Sequence, residues 1–242
     1  MQRENGLVVL TGASRGIGRA LLERYRGAGY RVVAVSRSGG APQGDTGVIP
    51  VAADLATREG IAETVRRVGD LGQAVDILVN DAGVQYQLDL TDAAGIGTRA
   101  DKAAGEIAVN LTAPILLTDA LLPLMRRPGG TIVNVTSLLS RHPKASAPVY
   151  SASKAGLASF TAALRHQLAP SGIRVVEVVP PLVETDMTTG RGKGKLSAEA
   201  MAGAIIKGVR AGRKTVAPGL AGRVLLLNRF VPGLVAKILS KT

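Results

Sequence analysis

Two hydrophobic rhythms alternate along the chain. Short, almost continuous runs of Val, Ile, Leu and Ala occupy residues 7–11, 31–36, 48–52, 75–80, 131–136 and 173–179, and 215–217 is a shorter candidate. Runs of this length without polar alternation predict strands covered on both faces, as in a parallel sheet. Between them, residues 16–28, 58–68, 101–122, 149–168 and 198–211 read as helices. Strands that alternate with helices imply right-handed crossovers, and so an α/β fold: a Rossmann-like, doubly wound parallel sheet with helices on both faces. No repeat or linker divides the 242 residues, which predicts one domain. Glycine-rich stretches at 39–47 and 190–195 read as loops.

Composition narrows the function classes. Hydrophobic residues make up 46% and charged residues 20%, which excludes a disordered chain. The chain has no cysteine, so disulfides, thiolate zinc sites and cysteine nucleophiles are excluded. His142 and His166 are too few for a multi-histidine metal cluster, and no metal is expected. The formal charge of +12 raises the question of a polyanionic partner. Its distribution answers in part: residues 1–121 carry 12 basic and 14 acidic side chains, residues 122–242 carry 18 and 4. With no Trp, two Phe and four Tyr there is little to stack on bases, and nucleic-acid binding is not expected. The N-terminal segment lacks the pattern of a secretory signal, and no 18-residue uninterrupted apolar stretch occurs; the expected compartment is the cytoplasm.

The first predicted strand runs into Thr11-Gly12-Ala13-Ser14-Arg15-Gly16-Ile17-Gly18 at the head of the first helix. Glycines allow close backbone approach, and a helix N-terminus offers unpaired N–H groups that suit a pyrophosphate. The glycine spacing differs from the commonest dinucleotide fingerprint, but its placement in the first βα unit points to cofactor binding.

This segment is similar to the cofactor motif of the short-chain dehydrogenase/reductase family, and other family motifs follow in order. Asn80-Asp81-Ala82-Gly83 resembles the family's Asn-Asn-Ala-Gly. Asn110 falls at its helix asparagine, Ser137 lies 13 residues before Tyr150, and Tyr150 lies four before Lys154. The segment from Pro180 to Thr185 resembles its Pro-Gly-x-x-x-Thr. The resemblance spans about residues 7–185, and the C-terminal region looks like that of a poorly characterised bacterial branch. Two positions depart from the pattern. Asp81 replaces an asparagine near the cofactor, and Pro181 replaces a glycine, which removes a backbone donor.

The resemblance implies an oxidoreductase that moves a hydride between a nicotinamide and a carbonyl or alcohol carbon. Tyr150 and Lys154 share a helix face, and an ammonium beside a phenol lowers the pKa that makes tyrosine a poor acid at neutral pH. The implied catalytic set is Ser137, Tyr150, Lys154 and Asn110, with Ser137 bonding the substrate oxygen and Asn110 organising a water-linked proton path. The implied cofactor-binding set is Gly12, Ser14, Arg15, Gly16, Ile17, Gly18, Ser36, Arg37, Asp54, Leu55, Asn80, Ala82, Gly83, Tyr150, Lys154, Pro180, Val183 and Thr185. The cofactor-binding part then covers about residues 1–136, the catalytic and substrate part about 137–219.

The second strand ends Ser36-Arg37-Ser38, without the carboxylate that NAD-preferring proteins place there. Arg37 and Arg15 are suited to clamp a 2′-phosphate, so the expected cofactor is NADP(H). Segments 84–90, 138–148 and 182–196 lie where the substrate pocket is expected. The basic run 190–195 reads as a mobile solvated loop. The tail, 220–242, mixes Leu, Val and Ile with Arg and Lys, a basic amphipathic pattern that packs on a protein surface or, less favoured here, touches a membrane. A homodimer or homotetramer through helices 101–122 and 149–168 is implied by the resemblance. A cofactor-binding scaffold with little turnover and a membrane-surface reductase are the alternative function classes.

Overall fold

The computed structural model describes residues 5–39, 46–91, 96–190 and 192–228. Its strands are β1 (Leu7–Thr11), β2 (Arg31–Ser36), β3 (Val48–Ala52), β4 (Val75–Asn80), β5 (Thr131–Val135), β6 (Arg174–Val178) and β7 (Thr215–Val216). They form one sheet in the order β3-β2-β1-β4-β5-β6-β7, and every pairing is parallel. The helices are α1 (Gly16–Gly27), α2 (Arg58–Gly69), α3 (Ile96–Ile107), α4 (Ala113–Leu121), α5 (Pro148–Gln167), α6 (Ala198–Arg210) and α7 (Leu220–Asn228).

Adjacent strand residues point to opposite faces, so each continuous apolar run feeds two cores. Val8 and Leu10 of β1 join Leu21 and Leu22 of α1 with Met201 and Ile205 of α6. Leu7 and Val9 join Ile61 of α2, Leu117 and Leu121 of α4 and Leu164 of α5. This two-sided burial is why the strands read as unbroken hydrophobic runs rather than alternating ones.

The helix expected at 101–122 begins earlier, and it is not regular. Between α3 and α4 lies one turn of π-helix, Ala108–Thr112, with Asn110 buried in it. Pro114, in the first turn of α4, has no N–H to give a regular ladder through this turn. The helical run Gly97–Leu124 is long and apolar enough, at mean hydropathy 1.7, to meet the length and composition of a spanning helix, although charged residues such as Arg99, Asp101, Lys102 and Glu106 interrupt it. Within it, Ala113, Leu117 and Leu121 are fully buried against the sheet, and 33% of its most apolar window is buried in the fold. The tail beyond Asn228, and the part of the glycine-rich stretch at 40–45, lie outside the described residues.

The chain passes through β1, β2 and β3 on one side, then crosses by α2 to β4 on the other. The loops leaving β1 and β4 therefore diverge at their C-terminal ends, and such a switch point opens a ligand crevice. The cofactor-motif segments meet there.

Candidate active site

Thr11 closes the floor of the crevice. Its Oγ1 accepts the N–H groups of Asp81 (3.1 Å) and Ala82 (3.0 Å) and donates to the Val79 carbonyl (3.3 Å). This draws the Asn80–Gly83 turn against the glycine loop. Gly12, at φ +74°, is what allows the approach, since a Cβ there would lie 2.9 Å from Ala82 backbone. Gly18 is under a tighter constraint: its Cβ would sit 2.1 Å from the Gly12 carbonyl oxygen and 2.8 Å from Asp81 Oδ2.

The head of α1 is open to a ligand. The side chain of its N-cap residue, Arg15, makes no capping bond and the first turn contains no acidic residue of its own, which leaves positively polarised N–H groups at Gly16 and Ile17. An anionic group of the pyrophosphate kind fits this cradle. Ser14 and Arg15 are exposed on the loop, Ser36 is buried with its Oγ unpartnered, and Arg37 is exposed at the end of β2. Asp54 Oδ1 accepts the Ala56 N–H (3.0 Å), which shapes the turn into α2, and Leu55 is buried beneath it.

On the other wall, Asn80 Nδ2 donates to Asn134 Oδ1 (2.8 Å), and Asn134 Nδ2 donates to Thr161 of α5 (2.9 Å). This ties β4, β5 and α5 into one rigid unit under the crevice. Asn110 faces the turn from the π segment. Its Oδ1 accepts the Val84 N–H (2.9 Å), and its Nδ2 donates to the Val84 carbonyl (2.8 Å) and to Ser153 Oγ (3.2 Å). A Cβ on Gly83 would lie 3.3 Å from Asn110 Oδ1 and 3.6 Å from Lys154 Nζ, so these two side chains converge on that glycine.

Helix α5 brings in the remaining groups. Lys154 is buried, donates from Nζ to the Val135 carbonyl (2.8 Å) and lies 5.9 Å from the centre of the Tyr150 ring. Burial pushes its ammonium down to about 8, against the opposing pull of Asp81. Tyr150 is 9% exposed. Ser137 follows β5 and opens a short helical turn, with Oγ accepting the Leu139 N–H (3.1 Å). Of the predicted catalytic residues, Asn110 and Lys154 are thus brought together at Gly83 with Tyr150 beside Lys154, and Ser137 stands two residues past the end of β5.

The segment after β6 carries Pro180, Val183 and Thr185. Val183 bridges Leu196 in parallel register, and Glu184 N–H donates to the Leu196 carbonyl (2.8 Å). The glycine-rich basic run is therefore closed at its base, and Lys195 Nζ donates to the Thr188 carbonyl (2.6 Å). Gly190 and residues 192–194 between these ties are exposed, so the run is a solvated loop pinned at its ends. Thr185 reaches the glycine loop: a Cβ on Gly16 would be 3.0 Å from its Cγ2. Arg15 differs from expectation in its partner, since it faces Asp186 at 3.7 Å in an exposed pair. Such a pair is weak, and a phosphate can replace it.

Three supporting residues escaped the sequence reading. Glu106 is fully buried one turn before Asn110, and its Oε1 accepts the Tyr86 N–H (2.6 Å). Burial raises its pKa, opposed by that N–H. Arg141 forms two 2.8 Å bonds to Glu177 of β6, whose Oε1 also accepts from Thr136 (3.0 Å), and this anchors the turn after Ser137. The available signal was an acidic residue in an otherwise apolar helix face or strand.

Comparison with known proteins agrees with this geometry. The family model for the short chain dehydrogenase matches residues 6–195. An uncharacterized oxidoreductase of Bacillus subtilis is 36% identical over 198 residues, covering 77% of this chain and 75% of its own. A 3-oxoacyl-[acyl-carrier-protein] reductase of Vibrio harveyi is 34% identical over 195 residues, 78% of each chain. The crystal structure of a short chain dehydrogenase from Burkholderia cenocepacia in complex with NADP superposes with a TM-score of 0.85 at 28% identity, over 99% of both chains. With its parallel seven-stranded sheet, its glycine loop and its ordered motifs, the chain belongs to the short-chain dehydrogenase/reductase family of oxidoreductases.

Proposed function

We propose that the protein is an NADP(H)-dependent reductase or dehydrogenase that transfers a hydride between the nicotinamide and a carbonyl or alcohol carbon of a small organic substrate. The observation that carries this reading is the convergence of Lys154 and Asn110 on Gly83, with Tyr150 against the Lys154 ammonium. The nicotinamide supplies the hydride chemistry when bound. The chain's own residues handle the oxygen. Tyr150 gives or takes its proton at Oη, the Lys154 ammonium favours the phenolate, and Ser137 Oγ bonds the substrate oxygen. Asn110, which spans Val84 and Ser153, holds the turn that borders the reacting groups.

Three observations support NADP(H) over NAD(H). Strand β2 ends without a carboxylate, Arg37 and Arg15 flank the crevice, and the Burkholderia cenocepacia relative was crystallised with NADP. The Arg15–Asp186 pair then opens in favour of the 2′-phosphate. For the substrate, the Vibrio harveyi relative makes 3-oxoacyl thioesters the first class to test, beside simple ketones, aldehydes and quinones. We place the protein in the cytoplasm as a homo-oligomer.

The experiment is oxidation of NADPH and of NADH over that substrate panel, with Tyr150→Phe as control. NADPH is expected to be preferred at least tenfold in kcat/KM. Tyr150→Phe should lose about 10²–10⁴ in kcat, the usual worth of a positioned acid–base group, while NADPH affinity stays within twofold. Near-full turnover in that variant, or preference for NADH, overturns the corresponding part of the reading.

A further inference from the structure

Asp81 is the motif position that the mechanism above leaves unused. It stands where the family has an amide, and its carboxylate accepts the N–H of Gly18, the third residue of α1. The first two residues of the same turn, Gly16 and Ile17, carry the amides suited to the dinucleotide phosphates. A carboxylate has thus been set on the positive end of the one helix that must receive an anion. We propose that cofactor binding is proton-linked at Asp81: the dinucleotide binds at full strength only when this carboxyl is protonated, so that binding at neutral pH draws in a proton. The inference rests on the nicotinamide-cofactor reading and assigns to this chain an affinity-setting residue beyond it.

The surroundings decide which protonation state each condition favours. Lys154, from α5, is the titratable side chain that faces Asp81 among the described residues. Strand β1 meets it with the Thr11 hydroxyl, which accepts the Asp81 N–H, and α1 meets it with the Gly18 amide. Arg15, on the loop into α1, pairs with Asp186. Desolvation raises Asp81 to about 7, opposed first by Lys154 and then by the Gly18 amide. The carboxyl therefore changes charge near neutral pH. Below that range a neutral acid and a cationic Lys154 leave the crevice net positive. Above it, the carboxylate repels phosphates gathered on the same helix turn, and their arrival favours the protonated form. An asparagine accepts the Gly18 N–H without ever carrying charge, so Asp81→Asn separates the charge from the hydrogen bond.

The test measures NADPH affinity by fluorescence titration from pH 6 to pH 8 for the wild type, Asp81→Asn and Asp81→Ser, with melting profiles to confirm that each is folded. Titration of the 2′-phosphate is common to all three, and Lys154, which loses the pull of Asp81 in both variants, drops its charge earlier there and weakens their binding at high pH, so a ratio that still rises with pH reports Asp81. The wild-type constant divided by that of either variant is expected to rise about tenfold across this range, since one proton gives at most a decade per pH unit. Calorimetry in two buffers of different ionisation enthalpy should find more proton uptake in the wild type than in the variants at pH 7.5. A ratio that stays constant with pH, or equal proton uptake, overturns the proposal while leaving the cofactor assignment intact. Folded proteins that bind neither NADPH nor NADH overturn both.

Discussion

At the scale of single residues, the catalytic wall of the site is built on buried polar groups, among them Asn110 and Lys154, that are bonded to backbone carbonyls. Lys154 shows how burial and function bear on each other: it is taken out of water, bonded to the Val135 carbonyl and left beside the Tyr150 ring. Because its pKa is lowered to about 8, it is an ammonium at neutral pH but loses that charge in mild alkali. Asp81 has the opposite history. In the unfolded chain a carboxyl titrates near pH 3.9, and in the fold its proton is held up to about 7. A raised carboxyl stabilises the fold below its unfolded pKa, and that stability is lost as pH rises toward the folded value. The cofactor-free wild type should therefore lose melting temperature between pH 4 and pH 8 relative to Asp81→Asn, as thermal scans across that range would report. Glu106 makes a separate contribution. Glu106→Ala strips the Tyr86 N–H of its acceptor in a buried place, at a cost of about 1–3 kcal/mol, whereas Glu106→Gln keeps an acceptor. Chemical denaturation should rank them wild type, then Gln, then Ala, with KM for substrate rising in the same order.

Elements place these residues with a precision that spacing alone does not supply. The π turn at Ala108–Thr112 widens the helix by one residue and aims Asn110 at both Val84 and Ser153. The head of α1 is fixed as tightly. Since a Cβ at position 18 would meet the Gly12 carbonyl oxygen at 2.1 Å, Gly18→Ala must push α1 away from the end of β1. Loss of NADPH binding by at least a hundredfold is expected from that variant, measured by the same fluorescence titration, with circular dichroism close to wild type. Helix α2 is held differently. Its cap, Thr57, accepts the Gly60 N–H (3.0 Å), and Thr57→Ala should cost about 1 kcal/mol in urea unfolding without altering cofactor affinity.

For the molecule as a whole, the outward face between α3 and α5 is lined by Ala104, Ile107, Ala108, Pro148, Val149 and Ala152. Small and apolar residues there suit close helix packing, and the homo-oligomer proposed above would make its contact on this face. A charge in its middle, Ala108→Glu, is expected to lower the mass measured by light scattering after gel filtration. An unchanged mass would move the contact elsewhere. The net charge of +12 divides at this scale too. Arg141 is neutralised by Glu177 under the Ser137 turn, and Arg15 meets Asp186 across the crevice. The remaining excess lies outside the reacting groups, chiefly beyond Met187, where Glu199 is the one acidic residue.

The sequence by itself determined the sheet and the family. Strands covered on both faces must be apolar throughout, and a turn that receives phosphates must be glycine, so both leave residue types that survive without coordinates. The ordered family motifs pointed to Tyr150 and Lys154, and the four-residue spacing put them on one face of α5, where the fold sets Lys154 Nζ 5.9 Å from the Tyr150 ring. Other features have no such local signature. The π turn depends on how α4 sits on the sheet, and Glu106 and Glu177 look like ordinary surface carboxylates until their burial is known. Asp81 is the sharpest case: sequence marked it as a substitution, but its meaning lies in Gly18 and Lys154, 63 positions before it and 73 after it. Only the tertiary structure brings those charges and dipoles together, since desolvation and electrostatic coupling depend on distance in space rather than on separation along the chain.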